Sequence, residues 1–390
     1  MPEELSMRYG VNPHQTSARC TSTGSMPLRV LNGAPSYINL MDALNSWQLV
    51  RELRQACNLP AAASFKHVSP AGAAVGVPLD DTLREALFVR GEDLSPLAAA
   101  YIRARGADRM ASYGDWIALS DKVDLSAAQV IKTEASDGII APDYDADALE
   151  VLKNKKGGQY RVLGIDTDFE PEPTEVRQIF GLTFEQRRND FVPDRSFFEN
   201  IVTRRIALDD DAIRDLTVAT ITVKYTQSNS VCLAVDGQVI GVGAGQQSRV
   251  HCVRLAADKA DLWYLRQHPR VRHQLKFRKG IKRPERDNAI DLFLQREVSE
   301  IERPAWLKSF AEEPEQLTDA DKRQWLDGLK AVALSSDAFF PFRDNIDRAS
   351  RSGVEFIVQA GGSIMDSQVI DAANEYGMLM VHSGIRLFHH

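Results

Sequence analysis

Short apolar runs of strand length alternate along this chain with stretches whose apolar residues recur at helical spacing, and this alternation limits the fold more than any other feature. Trp116 to Leu119 reads as a buried strand, Ser126 to Ala135 as a helix, and Asp137 to Pro142 as a strand entering a turn. Val354 to Gln359, a helix through Val369 to Tyr376, and Met378 to Val381 make a strand–helix–strand unit. Such alternation belongs to α/β layers, with helices packed on a sheet. At 390 residues the chain exceeds one ordinary core, so two units are expected, 1–200 and 201–390. The boundary follows Asp166 to Glu175, where five acids and two prolines in ten residues cannot pack a core.

Val231 to Val235 and Gln238 to Val242 flank Asp236-Gly237, a strong two-residue hairpin signal. An antiparallel hairpin here removes a dinucleotide reading of Gly241-Val242-Gly243-Ala244-Gly245, since no strand–helix–strand unit surrounds those glycines. They are expected to let the backbone approach something closely before a helix near Gln246 to Arg249. Earlier, Asn39 is expected to cap a helix carrying Leu40, Ala43, Leu44, Trp47, Val50 and Leu53, stopped by Asn58 and Pro60. Ser95 and Pro96 open another that closes at Gly106.

Candidate chemistry starts at Ser64 to Gly76. An apolar run, Ala61 to Ala63, leads through Lys66 and His67 into small residues read as a loop, so the pair falls near the C-terminal end of a strand. Open α/β sheets bind ligands at that edge. Lysine beside histidine offers an ammonium next to a base, although a surface lysine and a hydrogen-bonded histidine would look the same. Arg8 to Gln15 and Thr226 to Ser230 are polar, turn-rich stretches. Ser336 to Asn345 carries three Phe, a Pro, an Arg and two Asp, which suits a flat aromatic ligand held at its edges, or else a core strand ending in a charged turn. Apolar residues up to Phe388 imply a docked terminus. Ser136-Asp137 echoes Ser336-Asp337 and Asp108-Arg109 echoes Asp347-Arg348, but in opposite order, so duplication is suggested and not shown.

The net charge of -7 argues against general nucleic-acid or anionic-membrane binding. Nine Lys or Arg between Arg266 and Arg286 face one acid, Glu285, and read as a solvated basic face. Four scattered cysteines read as free thiols with no zinc spacing. Met1-Pro2-Glu3-Glu4 is no secretory signal and no apolar run reaches bilayer length, so a cytoplasmic protein is expected.

Arg8-Tyr9-Gly10-x-Asn12-Pro13-His14-Gln15, Phe65-Lys66-His67-Val68-Ser69-Pro70-Ala71-Gly72, Lys224 to Ser230, Gly243 to Arg249 and Ser336 to Phe342 together resemble the AICAR transformylase domain of the bifunctional purine-biosynthesis family. The likeness is collinear over essentially the whole chain. In that family an IMP cyclohydrolase domain precedes the Arg-Tyr-Gly motif, which here lies near the start, so a stand-alone transformylase lacking cyclohydrolase activity is expected. The resemblance implies two tandem cytidine-deaminase-like α/β/α domains, in a homodimer with sites at the subunit interface. It implies formyl transfer from 10-formyltetrahydrofolate to the 5-amino group of AICAR, with no zinc, because the deaminase His-x-Glu and Pro-Cys-x-x-Cys are missing.

By the same resemblance His67 is a general base, Lys66 assists and Asn229 holds the formyl oxygen. Arg8, Tyr9, Asn39, Asp137, Arg249 and Arg386 contact AICAR. Met110, Phe339, Pro341 and Asp344 line the folate site. A potassium ion, bound in some relatives, would take oxygens around Val223, Thr226, Ser228, Ser230, Asp337, Leu387 and His389. The alternative is an inactive homologue that only binds purine nucleotides.

Overall fold

A computed structural model describes residues 4–22, 24–89, 93–295 and 298–390; Met1, Pro2 and Glu3 of the N-terminal reading lie outside the described residues. The first half opens with a small hairpin, β1 (Glu4–Met7) and β2 (Ala18–Thr21), then β3 (Leu28–Asn32) and α1 (Tyr37–Cys57). A second hairpin, β4 (Ala61–Lys66) and β5 (Ser69–Val75), is followed by α2 (Asp81–Ala86) and α3 (Pro96–Gly106). β6 (Asp115–Leu119), α4 (Leu125–Thr133), β7 (Ser136–Ala141), α5 (Ala146–Lys153) and β8 (Arg161–Ile165) continue it. An exposed hairpin, β9 (Thr174–Ile179) and β10 (Leu182–Arg187), precedes the second half. That half begins with α6 (Asp210–Lys224), the hairpin β11 (Val231–Val235) and β12 (Gln238–Gly243), and α7 (Arg249–Leu265). Next come α8 (Arg283–Leu294), α9 (Arg303–Leu307) and α10 (Asp319–Leu326). β13 (Val332–Ser336), α11 (Asp344–Ser350), β14 (Val354–Gln359), α12 (Asp366–Glu375) and β15 (Leu379–His382) close the chain.

The fold is α/β, built on one mixed sheet of eleven strands in the order β15-β14-β13-β11-β12-β5-β4-β6-β7-β8-β3. The two halves meet where β12 pairs antiparallel with β5, and outward from that junction each repeats one pattern. A hairpin comes first, then an antiparallel third strand, then two parallel strands joined by helices. Both hairpins even break register at the same place, between Ser64 and Phe65 and between Leu233 and Ala234. Duplication is therefore visible in the topology, although the Ser-Asp echoes do not mark equivalent places: Ser136 opens β7 and Ser336 closes β13.

Local chemistry explains most boundaries. Ser36, not Asn39, caps α1: its hydroxyl faces the Asn39 N–H and Asn39 Oδ1 accepts from Ser36 N, so Asn39 is the third helical residue. Asn58 ends α1 in the left-handed region at φ 51°. Ser95 caps α3 as its sequence suggests, and Thr318 caps α10. The stretch read as a small-residue loop is the strand β5. Its residues are small because α3 lies on them: a Cβ on Gly72 would sit 2.2 Å from the Ala104 carbonyl oxygen. In β12 the approaching neighbour is α7, since a Cβ on Gly243 would stand 2.1 Å from the Cys252 carbonyl oxygen.

Helices cover both faces of the sheet. On one, Leu49, Val50 and Leu53 of α1 join Phe65, Trp116, Val218 and Ile221 in a cluster that spans both halves. Each fully buried side chain of this kind stabilises by about 1.5–3 kcal/mol. Lys224 and Tyr225 add a polar lock across α1 and α6, each donating to Glu52 Oε1, at 2.6 and 2.7 Å. The basic run is less solvated than its composition suggests. Arg266 is buried against Asp287, and Arg270, Arg272, Lys276, Arg278 and Arg283 take Asp321, Glu85, Glu312, Glu285 and Glu134 as partners. No described helix is long and apolar enough to cross a membrane.

Candidate functional site

Strand directions decide which residues share an edge. β4 and β12 run parallel to β13, β14 and β15, so their C-terminal ends lie on one edge of the sheet, together with the N-terminal ends of β5, β11 and β6 to β8. That edge carries two polar groups, one from each half.

The first group centres on the β4–β5 turn. Lys66 pairs with Ser69, leaving His67 and Val68 as a two-residue loop with φ of 52° and 60°. Positive φ at both positions is what a tight hairpin requires, and for a β-branched residue it is an outlier. His67 is exposed and Lys66 half-buried; the Lys66 ammonium donates to the Tyr113 carbonyl oxygen. Beneath the turn the buried carboxylate of Asp42, on α1, accepts from the Val68 N–H at 2.6 Å. Burial pushes this carboxyl up to about 6; nearby Asp137 adds to the rise, while the Val68 N–H, His67 and Lys66 oppose it. Asp137, at the start of β7, holds Lys156 Nζ at 2.8 Å, and Asn39 lies one helical turn from Asp42 on α1. Behind Lys66, Ser64 Oγ donates to Asp115, which Arg105 also grips at 2.7 Å. Met110 and Tyr113 line a cavity of about 440 Å³ with Arg105, Arg109 and Arg283.

The second group is tighter. Arg249, at the start of α7, donates to the Asp337 carboxylate, to the Ser230 carbonyl at 2.8 Å and to Asn229 Oδ1 at 2.9 Å. Asn229 Nδ2 donates to the carbonyls of Gln246 and Gln247, at 3.0 and 3.2 Å. Asp337 also accepts from Ser228 Oγ and the Ser230 N–H, at 2.6 and 3.0 Å. The C-terminus docks here: Leu387 N donates to the Asp337 carbonyl and His389 N to Ser228 Oγ. Burial lowers the proton affinity of the His389 ring. Val223 and Thr226 sit just behind, the Val223 carbonyl accepting from Thr226 N at 3.0 Å and from Ser230 Oγ at 3.5 Å. Hydrogen bonds thus link Ser228 and Ser230 to Asp337 and Ser230 to the Val223 carbonyl, and the oxygens along this chain are hard donors, of the type that suits a monovalent cation better than a thiophilic metal.

The remaining expected residues lie before β2 or flank the second group in sequence. Arg8 is exposed and Tyr9 half-buried beyond β1, in a loop closed by the Gly10 N–H on the Gln15 carbonyl at 2.7 Å. The exposed Arg386 guanidinium lies 4.5 Å from the Phe388 ring centroid. Past β13, Phe339 is exposed while Phe340 is fully buried, its N–H held by Gln359 Oε1 at 2.8 Å; Pro341 is half-buried and Asp344 exposed. Among the described residues no hydrogen bond or ion pair joins the two groups.

Sequence reasoning missed Asp42. An acid inside a helix reads as surface, and the available signal was its spacing from Asn39 and Ser46, three polar residues along one row of an otherwise apolar face.

Comparison with known proteins adds the following. Residues 1–259 match the family model described as AICARFT/IMPCHase bienzyme. Curated relatives called bifunctional purine biosynthesis protein PurH include those of Sorangium cellulosum, 29% identical over 392 residues, and Magnetococcus marinus, 32% over 393. The protein of that name from Xylella fastidiosa is 31% identical over 391 residues. Each alignment takes in 98% of this chain and 58 or 59% of the relative, so the chain spans about three-fifths of the length of the curated relatives it matches. With the family model covering well over half of its residues, the chain belongs to the AICARFT/IMPCHase bienzyme family.

Proposed function

We propose that this sheet edge transfers a formyl group from 10-formyltetrahydrofolate to the 5-amino group of AICAR, giving FAICAR and tetrahydrofolate, as a step of purine biosynthesis in the cytoplasm. The observation that carries the reading is the convergence on one edge of a base-bearing turn, Lys66-His67, and an amide-bearing loop, Asn229 with Arg249, from opposite halves of one sheet.

The AICAR amine is conjugated into an electron-poor ring and attacks weakly unless its proton is removed as the N–C bond forms. His67 takes that proton, with the Lys66 ammonium beside it to stabilise developing charge. The formyl carbonyl becomes an oxyanion, which the Asn229 amide holds; the longer of its two donations, to Gln247, is the one the oxyanion replaces. When the C–N10 bond breaks, N10 leaves with a proton. Arg249 orients Asn229 through its Oδ1 and, with Arg8, Tyr9, Asn39, Asp137 and Arg386, contacts AICAR. Met110, Phe339, Pro341 and Asp344 receive the folate.

A potassium ion would be held by oxygens of Val223, Thr226, Ser228, Ser230, Asp337, Leu387 and His389, where it would brace the Asn229 loop. The exposed His67, Arg8 and Arg386 fit a homodimer in which a second copy completes each site. We also treat 1–200 and 201–390 as tandem units of cytidine-deaminase-like type.

Purified protein mixed with AICAR and 10-formyltetrahydrofolate should release tetrahydrofolate in step with FAICAR. AICAR binding without turnover would instead identify an inactive purine-nucleotide-binding homologue.

A further inference from the structure

The two helix–hairpin units of the duplicated fold share a device. In each, the sixth residue of the helix is a buried aspartate aimed at the hairpin turn: Asp42 of α1 and Asp215 of α6. Asp215 accepts from the N–H groups of both turn residues, Asp236 at 2.7 Å and Gly237 at 2.6 Å. Asp42 accepts from the second turn residue alone, Val68. The turn served by Asp215 is Asp-Gly, whose residues enter positive φ easily. The turn served by Asp42 is His-Val, whose β-branched valine does not. Backbone strain of this kind persists only where the surroundings over-determine it.

We propose that Asp42 is a positioning residue for His67, its carboxylate anchoring the Val68 N–H and so holding the strained turn that presents the imidazole at the sheet edge. The proposal rests on the reading of His67 as the group that takes the amine proton. Other elements supply charge here but no second anchor. Lys66 is tied to Tyr113, and Asp137 to Lys156. Among the described residues the Asp42 oxygen is the sole side-chain acceptor for either turn N–H. A carboxylate in this place is costly to bury, as its raised proton affinity shows, and the duplicated Asp215 offsets the same cost with Arg214 at 3.0 Å.

The test uses Asp42→Ala and Asp42→Asn, each with and without Val68→Gly, in the full chain. Two readouts are taken: steady-state formyl transfer, and hydrogen exchange of the peptide spanning residues 61–75. Asp42→Ala should lower kcat at least tenfold with KM for AICAR changed less than threefold, and should speed exchange in the turn. Adding Val68→Gly should restore slow exchange and part of kcat, because glycine takes positive φ without an anchor. Asp42→Asn keeps an acceptor and should lose less than Asp42→Ala. Wild-type kcat in Asp42→Ala, or exchange in the turn indifferent to all four variants, would overturn the proposal. If the wild type transfers no formyl group while exchange follows the expected order, the functional reading fails and the anchoring stands.

Discussion

The Asp236-Gly237 and His67-Val68 turns occupy the same station in a duplicated unit, yet they are built in opposite ways. Asp236-Gly237 is relaxed and heavily clamped. Besides the two N–H bonds to Asp215, Arg103 donates to the Asp236 carboxylate at 2.7 Å and carbonyl at 3.2 Å, and Gly237 offers its carbonyl to Val75 N at 2.9 Å. His67-Val68 forces two side-chain-bearing residues to positive φ and leaves the imidazole exposed, with one anchor below. A clamped turn with turn-forming residues is scaffold, and in this fold it sits at the junction of the halves. A strained turn kept despite its residues points to use of the side chain it displays.

The comparison predicts its own asymmetry. His67→Ala should lower kcat on the order of a hundredfold or more, as expected for loss of general base catalysis. AICAR binding measured by calorimetry should barely change, and Asp236→Ala should leave kcat near wild type. Retention of more than about a tenth of kcat in His67→Ala would remove the functional half of the contrast.

Gly237→Val, which copies the first turn's residue into the second, should destabilise by about 2–4 kcal/mol in denaturant unfolding. Its φ is +71° and a Cβ there would meet Val77 Cγ2 at 2.8 Å and Val75 Cγ2 at 2.9 Å. A loss under about 0.5 kcal/mol would mean that the clamp, and not the glycine, holds this turn.

Asp42 gives a pH signature. Its carboxyl is raised from 3.8 to about 6, so the folded state holds this proton more tightly than the unfolded chain does. Stability from the group is full below about pH 4 and is lost as pH rises through about 6, with a size on the order of 1–3 kcal/mol. Asp42→Asn should therefore be more stable than wild type above pH 6 and converge with it near pH 4 in thermal scans. A difference that does not vary with pH would place Asp42 in a different environment.

The smallest effect is that of Val68→Gly alone. Relief of a left-handed β-branched residue should stabilise by about 1 kcal/mol, net of the extra backbone freedom of glycine in the unfolded chain.

The same contrast explains what could be read from the amino acids. The β11–β12 hairpin was legible because Asp236-Gly237 obeys turn chemistry and its flanks are apolar and β-branched. The β4–β5 hairpin was not, because His67-Val68 violates that chemistry and the small residues of β5 are dictated by α3, a neighbour distant in sequence. The exposed β9–β10 hairpin escaped for a related reason. It follows an acidic, proline-rich connection and buries none of its apolar residues, Phe180 and Leu182 among them. Individual candidate residues could be named only as pieces of motifs. Lys224 and Tyr225, inside one such motif, turn out to lock Glu52 between the halves, whereas Ser228 and Ser230 gather on Asp337. Polarity alone does not separate those two roles; the direction of each side chain does.

The most direct measurement is on the double variant His67→Asp with Val68→Gly, which writes the relaxed turn's residues into the strained one. The unfolding midpoint should rise while single-turnover formyl transfer falls at least a hundredfold, as removal of the proposed base requires. A variant that keeps its turnover, or that loses stability on receiving the better turn sequence, would contradict the view that strain is held at this turn in order to present His67.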